Sequence, residues 1–122
     1  MEVTMKKILI AEDNDSNFIL MTYILKKYYQ YERAKNGQEA VEMVDKNDYD
    51  IVLMDIKMPI MDGLEATKAI KEKHPDLPVI ALTANAFDSD RQLAIEAGCD
   101  DFLSKPVSSE LCVKTIQKFV GE

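Results

Sequence analysis

Ile51 to Met54 is an unbroken run of four large apolar residues that ends at the carboxylate of Asp55. A strand with one wet face would alternate apolar with polar residues, so this run reads as a strand covered on both sides. The same texture recurs in Lys6–Ala11 (KKILIA) and Pro78–Thr83 (PVIALT). Strands of this kind belong to parallel sheets, whose long crossovers supply the helices that cover them. The segments between them have helical period: Phe18, Ile19, Met21, Tyr23, Ile24 and Leu25, then Ala40, Val41 and Val44 within Gly37–Lys46. Leu64–Lys73 reads as a third helix, ended at His74-Pro75 because proline disfavours helical geometry in the residue before it. Tyr31–Lys35 is a weaker strand, Ser89–Ala97 a helix stopped at Gly98, Asp101–Ser104 a short fifth strand and Ser108–Val120 the last helix.

Five strands alternating with five helices predict a single α/β domain over residues 1–122, a doubly wound parallel sheet with helices on both faces. With 47% apolar residues, a chain of this length fills one core rather than two. Fifteen Lys and Arg stand against 22 Asp and Glu, a formal net charge of -7 that argues against a surface built to read nucleic-acid phosphates. A cation or a basic partner fits better. Cys99 and Cys112 have no CxxC spacing and no neighbouring histidine, so free thiols are expected rather than a zinc or redox motif. Neither a signal-peptide core nor an apolar run of membrane-spanning length is visible, and a cytoplasmic protein without membrane contact is expected.

In open sheets of this kind ligands sit beyond the carboxyl ends of the strands. Glu12 and Asp13 follow the first strand, Asp55 ends the third, Thr83 ends the fourth, and Lys105 and Pro106 follow the fifth. Three carboxylates at neighbouring strand ends repel one another unless a cation joins them. Oxygen donors without histidine or cysteine favour Mg²⁺, which keeps coordination positions open for a phosphoryl oxygen. Asp55 then reads as a carboxylate nucleophile toward phosphorus, with Lys105 neutralising charge and Thr83 donating a hydroxyl. Taken singly these residues have plainer readings. Glu12 and Asp13 could cap the first helix, as Asn14, Asp15 or Ser16 could, Thr83 could be a strand residue, and Lys105 a surface lysine.

Other motifs narrow the choice. The first strand runs into EDND rather than a glycine-rich turn, which disfavours a dinucleotide enzyme. Lys57 occupies the position two residues after Asp55 where a phosphatase would need a second acid, so turnover of external phosphoesters is not expected. His74 is the only histidine and sits at a helix end, which speaks against a phosphohistidine relay within this chain. Asp62-Gly63 reads as the turn into the third helix, Asn36-Gly37 as a hairpin-like signal followed by helical period, and Met54, Met58 and Met61 as packing residues.

Four motifs in order, Ala11–Asn14 (AEDN), Leu53–Gly63 (LMDIKMPIMDG), Ala81–Ala86 (ALTANA) and Asp100–Pro106 (DDFLSKP), resemble the receiver domains of two-component response regulators across essentially the whole chain. The resemblance implies a flavodoxin-like (βα)5 fold with strand order 2-1-3-4-5. It implies Asp55 as phosphoacceptor and Mg²⁺ held by Glu12, Asp13, Asp55 and the backbone carbonyl of Lys57. Glu12 stands where the family often has a second aspartate, and its longer arm implies contact through a metal-bound water. Thr83 and Lys105 are implied as the phosphate-sensing pair, with Lys105 fixed by a cis bond to Pro106. Phe102 is implied as an aromatic switch which, lacking a tyrosine hydroxyl, works by packing. Lys57 and Asn85 stand at positions that tune phosphoryl lifetime in the family. The implied donor is a histidine kinase or histidine phosphotransfer protein, with acetyl phosphate as a substitute, and the domain assists its own phosphorylation without acting on external substrates. The implied output is a surface of helix four, strand five and helix five, from Ala86 to Gly98 and including Phe102, that binds a downstream protein or a second receiver. The other open reading is a pseudo-receiver that binds partners without phosphorylation. No output domain is recognisable before the chain ends at Gly121-Glu122, so a stand-alone receiver or a piece of a longer regulator is expected, with a lean toward hybrid kinases.

Overall fold

The computed structural model describes residues 5–84 and 88–121, with the backbone alone at 88–90. The elements run β1 (Lys7–Ala11), α1 (Asp15–Leu25), β2 (Gln30–Ala34), α2 (Gly37–Lys46), β3 (Ile51–Asp55), α3 (Gly63–Lys73), β4 (Val79–Thr83), α4 (Asp88–Ala97), β5 (Asp101–Ser104) and α5 (Ser109–Val120). All strand pairs are parallel, in the order β2-β1-β3-β4-β5. The expected strand order and class are therefore found.

The two apolar faces follow from the strand period. Ile8, Ile10, Leu53, Ile80 and Leu82 point to one side, where Met21 and Leu25 of α1 and Cys112 and Ile116 of α5 cover them. Their neighbours Leu9, Ala11, Val52, Met54 and Val79 point to the other, against Ala40 and Val44 of α2 and Ala66 and Ile70 of α3. Every residue of β3 and β4 is buried, which is why those strands read as continuous apolar runs. The outer strands β2 and β5 are only half-covered, and their sequences QYERA and DFLS are correspondingly mixed.

Element ends moved by a residue from the sequence reading because caps and turns take the terminal positions. Ser108 caps α5 from outside by accepting from Leu111 N, and Asp62 caps α3 by accepting from Glu65 N. Asn36 caps α2, so Asn36-Gly37 opens a helix and makes no hairpin. Gly98, with φ +105°, closes α4 with paired bonds from Gly98 N to Ile95 O and from Cys99 N to Ala94 O, the expected glycine stop. In α1 the apolar positions do not share one face. Met21 and Leu25 are buried, whereas Ile19 (51% exposed), Leu20 (49%) and Tyr23 (64%) face solvent. Cys99 and Cys112 are free thiols. Among the described residues no helix is long and apolar enough to cross a membrane.

Gly63 has a reason beyond its turn. A Cβ there would collide with the backbone oxygen of Asp55, and one at Gly37 with the backbone oxygen of Met61. Gly63 N also donates to Ile56 O at 2.8 Å, so α3 begins pressed against the end of β3. The demand is for space, and Gly63→Ala should cost about 1–3 kcal/mol of stability as overpacking displaces this junction. Urea unfolding of the variant checks this; an unchanged midpoint would show that the junction yields freely.

Candidate functional site

The carboxyl edge of the sheet collects the side chains from different elements. Glu12 and Asp13 lie in the β1–α1 loop, Asp55 at the last position of β3, Thr83 at the last position of β4, and Lys105 just beyond β5. They line one cavity of about 240 Å³ together with Asn14, Asn17, Ile56, Lys57, Leu82 and Ala84. Asn14 is the N-cap of α1, accepting from Asn17 N at 3.0 Å, which leaves Glu12 and Asp13 free of that role.

Glu12 is 1% exposed and Asp55 5%, and their chains are far from alone there. The Lys105 ammonium stands 3.1 Å from Glu12 Oε1 and 3.1 Å from Asp55 Oδ2, bridging the two carboxyls. The other Glu12 oxygen accepts from Asn14 N at 3.2 Å. Burial, with a hydrogen bond to Asp55 and repulsion by its charge, pushes the Glu12 carboxyl up to about 7. Burial works to lower the Lys105 ammonium, but the charges of Asp55 and Glu12 outweigh it and hold the lysine above its ordinary range. One lysine thus faces more negative charge than it can neutralise, and burial and that excess together make the Glu12 carboxyl hold its proton more tightly.

A divalent cation can take that proton's place. Oxygens of Glu12, Asp13 and Asp55 lie within 4.8 Å of one another, with no nitrogen or sulfur ligand among them. Hard oxygen donors of this number suit Mg²⁺, which uses one or two carboxylates and retains water. The residues fit the ion on both geometry and charge.

Pro106 and Phe102 stand outside this cavity. The Lys105–Pro106 peptide is cis. Pro106 lines a small adjoining pocket with Leu20, Met21 and Val107, next to Lys105. Phe102 is half-buried on β5, beneath the Arg91 guanidinium of α4 at 5.1 Å. By strand period it shares a sheet face with Thr83, since Ala81 pairs with Phe102 and Thr83 with Ser104. Asn85 and Ala86, both singled out in the sequence, lie outside the described residues.

Arg33 escaped the sequence reading. Its Nε donates to Glu12 O at 3.0 Å and its Nη2 to Asp13 O at 3.3 Å, while Nη2 also pairs with Asp15 at 2.9 Å. The only signal in sequence is a cation one residue before the end of a weak strand, and nothing local says which loop it meets. The exposed Ile60, with φ +70° in the β3–α3 loop, was also unremarked.

The raised Glu12 carboxyl has a consequence for metal-free protein. The folded chain holds this proton more tightly than the unfolded chain, whose ordinary value is 4.5. Its contribution to stability is complete at low pH and is lost as pH rises through the folded value. Without metal, the native protein should therefore lose melting temperature relative to Glu12→Gln between about pH 5 and about pH 8. Thermal melts in EDTA check this, and parallel pH curves for the two proteins would contradict it.

A five-stranded doubly wound sheet carries an acidic cluster and a bridging lysine at its carboxyl edge, the arrangement of an α/β domain that could hold a metal ion there. Residues 8–117 match the response regulator receiver domain, and the chain belongs to that family. It is a receiver domain of the two-component and phosphorelay type, a signalling module. The chain is 41% identical over 131 residues to hybrid signal transduction histidine kinase B of Dictyostelium discoideum, covering 95% of this chain but 7% of that protein's length. The fold matches the receiver domain of the sensor histidine kinase PA1611 from Pseudomonas aeruginosa PAO1, crystallised with a magnesium ion coordinated in its active-site cleft. That match has a TM-score of 0.91 and 33% identity, covering 98% of this chain and 100% of the other. It also matches, with a TM-score of 0.90 and 31% identity over 96% of this chain and 90% of the other, a chain from a Saccharomyces cerevisiae co-crystal structure. That complex joins the histidine phosphotransfer protein Ypd1 to the receiver domain of its downstream response regulator Ssk1.

Proposed function

We propose that Asp55 accepts a phosphoryl group from a phosphohistidine, with Mg²⁺ held by Glu12, Asp13, Asp55 and the backbone carbonyl of Lys57. The observation that carries this reading is the single lysine bridging two buried carboxyls, 3.1 Å from each, beside a third carboxylate within metal-binding range. An Asp55 oxygen forms the new bond to phosphorus as the bond from the donor's imidazole nitrogen breaks, and the imidazole leaves and regains its proton. Bound Mg²⁺ supplies positive charge to the phosphoryl oxygens. Lys105 moves from its shared position between Glu12 and Asp55 toward a phosphoryl oxygen. Thr83, buried at the end of the neighbouring strand, donates its hydroxyl to another. Pro106 fixes the chain direction beyond Lys105.

The donor is a histidine kinase or a histidine phosphotransfer protein, as the yeast pair suggests by likeness. A macromolecular donor needs a contact surface beside the cavity. Leu20 of α1 lines the pocket adjoining Lys105, and Ile19 and Tyr23 are exposed apolar residues of the same helix. On the other side, a move of Thr83 toward phosphate vacates space on the sheet face it shares with Phe102. Phe102 has no hydroxyl, so the response is a packing change under Arg91. The surface of α4, β5 and α5, where Leu93 and Ile95 are exposed, then engages a downstream protein or a second receiver. The Ala86–Phe87 part of that surface lies outside the described residues.

Intact mass after incubation with acetyl phosphate tests the acceptor. A single phosphoryl adduct is expected that requires Mg²⁺ and disappears in Asp55→Asn. If neither acetyl phosphate nor a phosphorylated histidine donor gives an adduct on the folded protein, the chain is a pseudo-receiver acting by binding alone. Leu20→Asp separates docking from chemistry. It should slow transfer from a phosphohistidine protein by about tenfold or more, the loss of one well-packed contact, while labelling by acetyl phosphate keeps its rate. Equal rates from both donors would remove α1 from the docking surface.

A further inference from the structure

The short β1–α1 loop buries Glu12 while Asp13 and Asn14 are exposed, yet it must bring both the Glu12 and Asp13 carboxylates within reach of Asp55. Loops of this kind are ordinarily the mobile part of a fold. Here its backbone is tied from outside. Glu12 N donates to Ala34 O at 3.0 Å, and the guanidinium of the preceding residue, Arg33, reaches the carbonyls of Glu12 and Asp13 in succession. The fork itself is held: it lies 4.6 Å from the Phe18 ring centroid and pairs with Asp15, and Phe18 in turn meets Tyr31 edge to face. Arg33 is 17% exposed at its side chain, a half-buried brace rather than a surface charge.

We infer that Arg33 is a positioning residue for the metal site. By fixing the directions of two successive carbonyls, it fixes the peptide planes from which the Glu12 and Asp13 carboxylates project toward Asp55. This inference rests on the Mg²⁺ site proposed above. It has a sign that distinguishes it from a charge effect. A cation near a cation site repels the incoming ion, so removing its charge should by Coulomb's law alone tighten Mg²⁺ binding. Loss of positioning acts the other way, and groups that orient metal ligands typically change affinity by about 10–100-fold. Lysine keeps the charge but is a point donor that cannot span both carbonyls as a planar fork does.

The experiment is calorimetric titration of Mg²⁺ alone into metal-freed protein at fixed ionic strength, with urea unfolding of each variant measured without metal. Arg33→Ala and Arg33→Lys should both bind Mg²⁺ about tenfold more weakly or worse. Asp15→Asn, which spares the carbonyl bonds, should stay within about twofold of native affinity. Ser108→Ala, which removes the cap of distant α5, serves as the control for stability: it should lower the unfolding free energy and leave Mg²⁺ affinity alone. Native-like or tighter binding by Arg33→Ala overturns the inference while leaving the site intact. So does a matching loss in Ser108→Ala at equal loss of stability. Failure of the native protein to bind Mg²⁺ overturns the metal site and the inference with it.

Discussion

Repulsion among carboxyls at the ends of β1 and β3 is the constraint around which this fold is arranged. Glu12 and Asp55 are buried side by side, and two buried charges of one sign cannot both persist without compensation. Compensation comes from Lys105, placed just beyond β5, and burial together with the repulsion that is left over raises the Glu12 carboxyl. The balance is incomplete, which leaves the site suited to further positive charge. On the function proposed here, a cation takes up that excess charge, and a phosphoryl group brings new negative charge for Lys105 and the cation to meet. The same shortage of positive charge that costs stability at this edge favours, on that proposal, the binding of a cation there.

The rest of the molecule holds these charges in register. Parallel pairing aligns the ends of β1, β3 and β4 at one edge, and the apolar runs behind them anchor each strand on both faces. Gly63 lets α3 start against the backbone of Asp55 itself. Asn14 takes over the capping of α1, so the acids before it can face the cavity. Arg33, near the end of β2, bonds the carbonyls of the same loop. Each device acts on the backbone near a charged side chain.

How much of this could be read beforehand depends on how local its cause is. The runs IVLM and VIAL announce buried parallel strands because burial on both faces leaves no room for polar residues, and the strand ends then mark Glu12, Asp13, Asp55, Thr83 and Lys105. The helix caps blurred the boundaries at Asp62 and Ser108, because a capping residue looks the same inside or outside a helix. Gly63 was legible as a turn but not as a steric necessity, since its neighbour in space is eight residues away in sequence. Arg33 was not legible at all. Its partners sit about twenty residues earlier in the chain, and only the β1–β2 register brings them together. In α1 the spread of apolar residues concealed which were core and which, like Ile19, Leu20 and Tyr23, face solvent.

The most direct test of the central claim is to locate the acyl phosphate chemically. Protein incubated with Mg²⁺ and a phosphohistidine donor is reduced with borohydride, which converts an aspartyl phosphate to homoserine, and the tryptic peptides are sequenced by mass spectrometry. The account predicts homoserine at residue 55 alone, and only when Mg²⁺ is present. Homoserine at another carboxylate, or reduction independent of Mg²⁺, would contradict it.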